Sequence, residues 1–130
     1  MPVELSMLAY SVALLIVLVV IQANAGVSSQ GLMPLVNNRD GLPAPTGFHA
    51  RMLRVVDNHR EGLTMFAPLI LVAAHTGFTP MTALGAQLFF YSRVAHAVLY
   101  VFGVPLVRPL VWAVGLVGTV LVLLAILKIV

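Results

Sequence analysis

Long apolar runs, each near the length needed to cross a lipid bilayer, are the feature that most restricts the fold of this sequence. Four such spans can be read, at about residues 5–25, 50–78, 80–102 and 107–130. A helix needs about 20 apolar residues to cross the hydrocarbon layer, and an isolated strand cannot satisfy its backbone hydrogen bonds there. The sequence therefore predicts an all-α integral membrane protein with a single four-helix transmembrane domain.

The composition agrees with a membrane protein and excludes several functions. Apolar residues make up 61% of the chain and charged residues 8%, whereas about a quarter of the residues in soluble domains are charged. No basic stripe with interleaved aromatic residues indicates nucleic-acid binding. Cysteine is absent, which excludes disulfides and a cysteine nucleophile. His49 and His59 share no metal-site spacing with acidic residues, so we expect no metal.

The first span could be misread as a signal peptide, because Ala23 and Ala25 form an Ala-x-Ala pattern. A signal peptide begins with positively charged residues. Residues 1–6 contain Glu4 and neither lysine nor arginine. We therefore expect the first span to be retained as a membrane helix.

Basic residues concentrate at two of the connections between spans and so predict the orientation. The connection between the first two spans, with the start of the second, holds Arg39, Arg51, Arg54 and Arg60. The end of the third span and the connection after it hold Arg93 and Arg108. Because positively charged connections stay in the cytoplasm, both are predicted to be cytoplasmic and both termini outside. Lys128, near the C-terminus, is the exception.

Two spans carry polar side chains along one helical face. At 100° per residue, an arc of about 80° on the second span holds Arg51, Arg54, Asn58 and Glu61. One face of the third span holds Arg93, His96 and Tyr100. Ionisable side chains at membrane depth are costly unless they face protein or water, so the two stripes are predicted to face each other.

The side chains of these two stripes predict the kind of ligand they could bind. Arginines with a carboxylate, a hydroxyl and an amide suit a small zwitterionic or anionic ligand. A plain interhelical ion network, with arginines extending to the headgroups, is the alternative.

The order of these motifs resembles a known family. The stretch "RMLRVVDNHREGLTMFAPL" carries an Arg-x3-Asn-x2-Glu pattern, followed by an aromatic residue and a proline. It is similar to the second helix of the MAPEG family (membrane-associated proteins in eicosanoid and glutathione metabolism). The stretch "YSRVAHAVLYVFGVPLVRPL" resembles that family's third helix and a later arginine. "NNRDGLPAP" resembles the first cytoplasmic loop of bacterial members.

The resemblance implies a four-helix bundle assembled as a homotrimer, in the inner membrane for a bacterial-type member. It further implies that glutathione, as cosubstrate, lies between neighbouring subunits near the cytoplasmic face. Carried over to this chain, the residues that bind glutathione are Arg54, Asn58, Glu61, Arg93, His96 and Tyr100. Arg108 is the implied catalytic residue, which stabilises the thiolate. Expected partners are further copies of the chain, lipids and a small lipophilic substrate.

The implied activity is that of a glutathione-dependent transferase or peroxidase acting on lipophilic electrophiles. A fixed cation lowers a thiol pKa from about 8.5 and makes thiolate available at neutral pH. The alternative is a non-catalytic membrane protein of the same fold, which binds a lipid or small anion or serves as a subunit of a membrane complex. Asp57 favours this alternative, because some members carry a second basic residue there.

Several remaining residues are predicted to serve packing. Glycines within a membrane helix allow close approach of a neighbouring helix, and this is expected of Gly85, Gly103, Gly115 and Gly118. Trp112 is expected to anchor the chain at the membrane interface or to pack against a neighbouring helix.

Overall fold

Helices account for most of the chain. The computed structural model describes residues 1–130. Its helices are α1 (Val3–Gln30), α2 (Leu32–Val36), α3 (Gly47–Thr76), α4 (Pro80–Val101) and α5 (Arg108–Ile126). No strand is present, so the all-α prediction is confirmed.

The four long helices coincide with the four predicted spans to within a few residues. The main difference lies after the first predicted span, which was expected to end at about residue 25: α1 continues to Gln30, and the five-residue α2 follows after Gly31. By length and composition, α1 and α5 can each cross a membrane. The helices α3 and α4 are not apolar enough to qualify by composition, because polar and charged side chains interrupt their sequences. Four spans therefore stay a prediction.

α4 and α5 pack with their backbones in contact because two glycines face each other. A Cβ atom built on Gly85 would lie 2.5 Å from the carbonyl oxygen of Gly118. The converse distance, from Gly118 to the oxygen of Gly85, is also 2.5 Å. Close helix packing at each of these glycines was expected from the sequence, although their pairing was not. Gly103, by contrast, follows α4 with a φ of 71°, so it forms a turn and not a helix contact.

Apolar side chains hold α3 between α1 and α4. One cluster centres on Phe66 and Phe89, whose rings stack with centroids 4.0 Å apart. A second cluster joins Leu18 of α1 to Met52 of α3 and Ala97 of α4. Because α3 is packed on these two sides, the side chains on its remaining faces point either to the start of α5 or outward.

Two polar contacts tie α1 to the other helices. Glu4 is 4% exposed, and its carboxylate accepts a 2.6 Å hydrogen bond from the hydroxyl of Thr82 near the start of α4. The Nε2 atom of His59, which must carry the proton to bond a carbonyl, donates to the Ser11 backbone oxygen at 2.8 Å. These contacts fix the position of α1 along its axis relative to α3 and α4.

Thr82→Val is expected to destabilise the protein, because the buried Glu4 carboxylate loses its donor and the Thr79 backbone N–H loses its acceptor at the start of α4. An unsatisfied buried polar group costs about 1–3 kcal/mol, so the melting temperature in detergent should fall by about 3 °C or more. Thr76→Val is the matched control, since the Thr76 hydroxyl bonds only its own helix on an exposed surface. Equal melting temperatures for the two variants would contradict a stabilising role for the Glu4–Thr82 contact.

Candidate functional site

A cavity of about 310 Å³ opens where α3, α4 and the start of α5 meet. We call it the polar cavity, and its lining residues are Asn58, His96, Tyr100, Pro105, Arg108, Pro109 and Trp112. Four of the residues that the sequence predicted for a binding site are therefore brought together: Asn58, His96, Tyr100 and Arg108. They come from three helices, at the end where α4 stops and α5 begins.

Tyr100 positions the two side chains beside it in the polar cavity. The guanidinium carbon of Arg108 lies 4.3 Å from the centre of the Tyr100 ring, a favourable cation–π distance. The rings of His96 and Tyr100 are tilted, with centroids 4.9 Å apart. Arg108 makes no ion pair within the chain, since the one salt bridge joins Arg60 to Asp57. A positive charge is thus held at the cavity wall without a protein carboxylate to neutralise it.

Arg93 lies behind the cavity wall and is 4% exposed. Its Nη1 donates a hydrogen bond to the side-chain oxygen of Asn58, which itself lines the cavity. The guanidinium carbon stands 5.5 Å from the centre of the Phe89 ring. The Nε atom is buried and has no hydrogen-bond partner. The predicted meeting of the two polar stripes is thus realised at one point, between Asn58 of α3 and Arg93 of α4.

Two glycines make the space that the Arg93 guanidinium occupies. A Cβ atom built on Gly62 of α3 would lie 3.4 Å from Cζ of Arg93. One built on Gly115 of α5 would lie 3.1 Å from Nη2 of Arg93 and 2.5 Å from the Ser92 hydroxyl. Gly115 does allow close packing, as expected, but its neighbours are the polar side chains of Ser92 and Arg93. No pattern in the sequence indicated a role for Gly62, because the contact joins residues distant in the chain.

Arg54 and Glu61 do not line the polar cavity. Both are exposed on α3, where they stand about one turn on either side of Asn58. Asp57, also exposed, forms a 2.6 Å ion pair with Arg60. Within a single chain, therefore, two of the predicted binding residues lie beside the cavity on an outward-facing polar surface.

Trp112 was expected to be an anchor or packing residue, but it also lines the polar cavity. It follows Arg108 by four residues in α5, so the two side chains share a face of the helix. That spacing was a signal in the sequence that could have identified it. Pro105 and Pro109 also line the cavity, and nothing in their spacing indicated this.

A comparison with known proteins identifies one family. The model of the MAPEG family matches residues 7–128, a range that includes every residue of the polar cavity. Neither the curated proteins nor the solved structures yield a significant match.

Proposed function

The chain belongs to the MAPEG family, and from that premise we propose that it is an integral membrane enzyme that uses glutathione against lipophilic electrophiles. The polar cavity is the observation that carries the proposal. It gathers a guanidinium, an imidazole, a phenol and an amide in one concave site, and such convergent polar groups are typical of a ligand pocket.

The charges of this region match those of glutathione, which has two carboxylates, an ammonium and a thiol. Arg93 and Arg108 are cations, and neither has a carboxylate partner within the chain. Arg108 lines the cavity and can bind a carboxylate directly in bidentate geometry, whereas the buried Arg93 adds positive charge from behind Asn58. The carboxylate of Glu61, about one turn from Asn58 on the exposed side of α3, is the acid available for the ammonium.

Arg108 is the proposed catalytic residue. A guanidinium next to the glutathione sulfur favours thiolate over thiol. The thiolate attacks an electrophilic carbon and forms the carbon–sulfur bond, while the bond from that carbon to a leaving group such as chloride breaks. The leaving group departs with the electron pair, and the thiol proton passes to water. With a lipid hydroperoxide, the sulfur instead attacks an oxygen and breaks the oxygen–oxygen bond. That reaction gives a lipid alcohol and an oxidised sulfur, which a second glutathione converts to the disulfide and water.

The exposed polar face of α3 supports a subunit contact as part of the proposal, and the family resemblance makes that assembly a homotrimer. Arg54 and Glu61 stand on the outside of a helix that we propose to span the membrane. Charged groups facing lipid are costly, whereas a neighbouring subunit would cover them and close the polar cavity on that side. The charge distribution further supports an orientation with both termini outside and the charged connections cytoplasmic, and the resemblance of "NNRDGLPAP" to bacterial members favours a bacterial inner membrane.

Steady-state kinetics in detergent test the proposed activity. We expect the purified protein to accelerate the displacement of chloride from a chlorodinitrobenzene by glutathione, measured by absorbance of the thioether product. Glu61→Gln should raise the KM for glutathione by about tenfold, because a hydrogen bond to a charged group contributes about 1.5–3 kcal/mol. Arg60→Ala is the control, since Arg60 pairs only with Asp57 on the exposed surface.

The outcomes separate an enzyme from a binder of the same fold. Turnover with a raised KM in Glu61→Gln supports the full proposal. Glutathione binding without turnover of any electrophile or hydroperoxide would support the non-catalytic alternative. Absence of both binding and turnover would refute the proposal.

A further inference from the structure

Two pockets adjoin each other beyond the apolar part of α1, apart from the polar cavity. The larger, about 500 Å³, lies between the last turns of α1, α2 and the start of α3, with apolar walls that include Val27, Leu35 and Leu53. The smaller, about 360 Å³, is lined mainly by polar residues of the connection after α2, including Asn37, Asn38 and Asp40. Neither pocket shares a lining residue with the polar cavity.

Arg39 stands where the two pockets meet, because it lines both of them. Its Nε donates a 2.9 Å hydrogen bond to the backbone oxygen of Leu35, which fixes the direction of the side chain. The two terminal nitrogens of Arg39 make no hydrogen bond within the chain. A positioned guanidinium with free donors therefore separates an apolar compartment from a polar one.

His49 places a second polar group inside the larger pocket. It is 6% exposed, and its Nδ1 shares a 2.9 Å hydrogen bond with the Ser29 hydroxyl. The Nε2 atom makes no hydrogen bond within the chain. A Cβ atom built on Gly26 would lie 3.2 Å from this Nε2, so no α1 side chain covers the nitrogen from that position. A nearly buried imidazole nitrogen is thus left available to a ligand.

We propose that these pockets bind one phospholipid whose headgroup carries a primary ammonium next to its phosphate. An acyl chain fits the apolar walls of the larger pocket, and both volumes lie in the usual range for ligand pockets. The phosphate matches the free donors of Arg39, since guanidinium groups bind phosphate bidentately. Asp40, adjacent to Arg39 and lining the smaller pocket, supplies a carboxylate for the ammonium. That carboxylate also disfavours a headgroup with only negative charge.

The position along α1 agrees with a lipid ligand. The apolar run of α1 gives way to Gln22, which lines the larger pocket, and then to Asn24, so the pockets lie where the hydrocarbon layer meets the headgroups. A phospholipid bound here would join α1 to the connection that follows it. The Nε2 amide of Gln30 already contacts that connection, through a 2.9 Å hydrogen bond to the Pro43 oxygen. This binding needs neither glutathione nor the polar cavity, so an experiment can contradict it without contradicting the proposed enzyme activity.

Native mass spectrometry of the delipidated protein tests the proposal. The protein in detergent is titrated with phosphatidylethanolamine, phosphatidylglycerol or a free fatty acid, and bound lipid is counted per chain. The wild type should bind phosphatidylethanolamine most tightly. Arg39→Ala should weaken the binding of both phospholipids by about tenfold, which corresponds to the loss of one charge-assisted contact. Asp40→Asn should weaken the binding of phosphatidylethanolamine and leave the binding of phosphatidylglycerol unchanged.

Matched controls and a pocket-filling variant make the result specific. Arg60→Ala and Asp57→Asn remove the same charges from an exposed pair on α3 and should leave lipid binding unchanged. Gly26→Leu fills the space beside His49 and should reduce binding of every lipid. The proposal is overturned if all variants bind alike, if the fatty acid competes equally, or if cross-linking shows a second copy of the chain in the pockets.

Discussion

Replacing Gly118 by valine is expected to prevent stable folding, which is a larger effect than that of any other substitution proposed for this chain. The first added carbon would meet the Gly85 oxygen at 2.5 Å, the Phe89 amide nitrogen at 2.8 Å and Cβ of Leu88 at 3.0 Å. Two of these three atoms belong to the α4 backbone, so no side-chain rotation relieves the contact and the helices must separate. Overpacking a core costs about 1–3 kcal/mol even when side chains can adjust, and here the cost should exceed that range.

Gel filtration and thermal unfolding in detergent measure this effect. Gly118→Val should give aggregated protein or a melting temperature more than about 10 °C below that of the wild type. Ala113→Val, on an exposed position of the same helix, enlarges a side chain that faces outward and should change neither measurement. A monodisperse Gly118→Val protein with wild-type stability would refute the close packing of α4 and α5.

Arg108→Ala is expected to reduce the rate of thiol transfer by about 100-fold to 1,000-fold, the loss typical when one charge-stabilising donor is removed from an active site. Glutathione binding should survive in weakened form, because Arg93 and Asn58 remain. The thiolate ultraviolet band of the glutathione complex should disappear. The fall should therefore appear in kcat more than in KM, since the lost contact acts on the reacting sulfur.

The conservative variant distinguishes a charge effect from a structural one. Arg108→Lys keeps the cation but cannot reproduce the planar guanidinium on the Tyr100 ring, so it should restore part of the thiolate band. Unchanged turnover in Arg108→Ala would remove Arg108 from the proposed mechanism and leave the polar cavity as a binding site only.

The four long helices could be predicted from the sequence because each coincides with a long, mostly apolar run of residues. The bounds of α4 agree with the prediction to within one residue. The first connection was less predictable. Leu32 to Val36 form a short helix that carries no periodic signal of its own, and α1 continues past the polar Gln22 because no proline or glycine pair stops it there.

The candidate site was predictable only where spacing along one helix decides position. The i, i+3 and i, i+7 relations among Arg93, His96 and Tyr100 placed them on one face, and two of them line the cavity. Spacing could not indicate how α3 is rotated against α4. For that reason, the position of Arg54 and Glu61 outside the cavity in the single chain could not be predicted. Contacts between distant residues, such as that of Gly62 with Arg93, leave no pattern in one sequence.

A fluorescence titration of the detergent-purified protein with glutathione tests the central claim most directly. Trp112 is the only tryptophan of the chain and it lines the polar cavity, so its emission reports occupancy of that site. We expect a saturable change in the wild type, at least tenfold weaker binding in Asn58→Ala and Arg93→Ala, and no difference in Arg60→Ala. Glutathione binding detected by calorimetry without any change in Trp112 emission would place the site elsewhere and contradict the account.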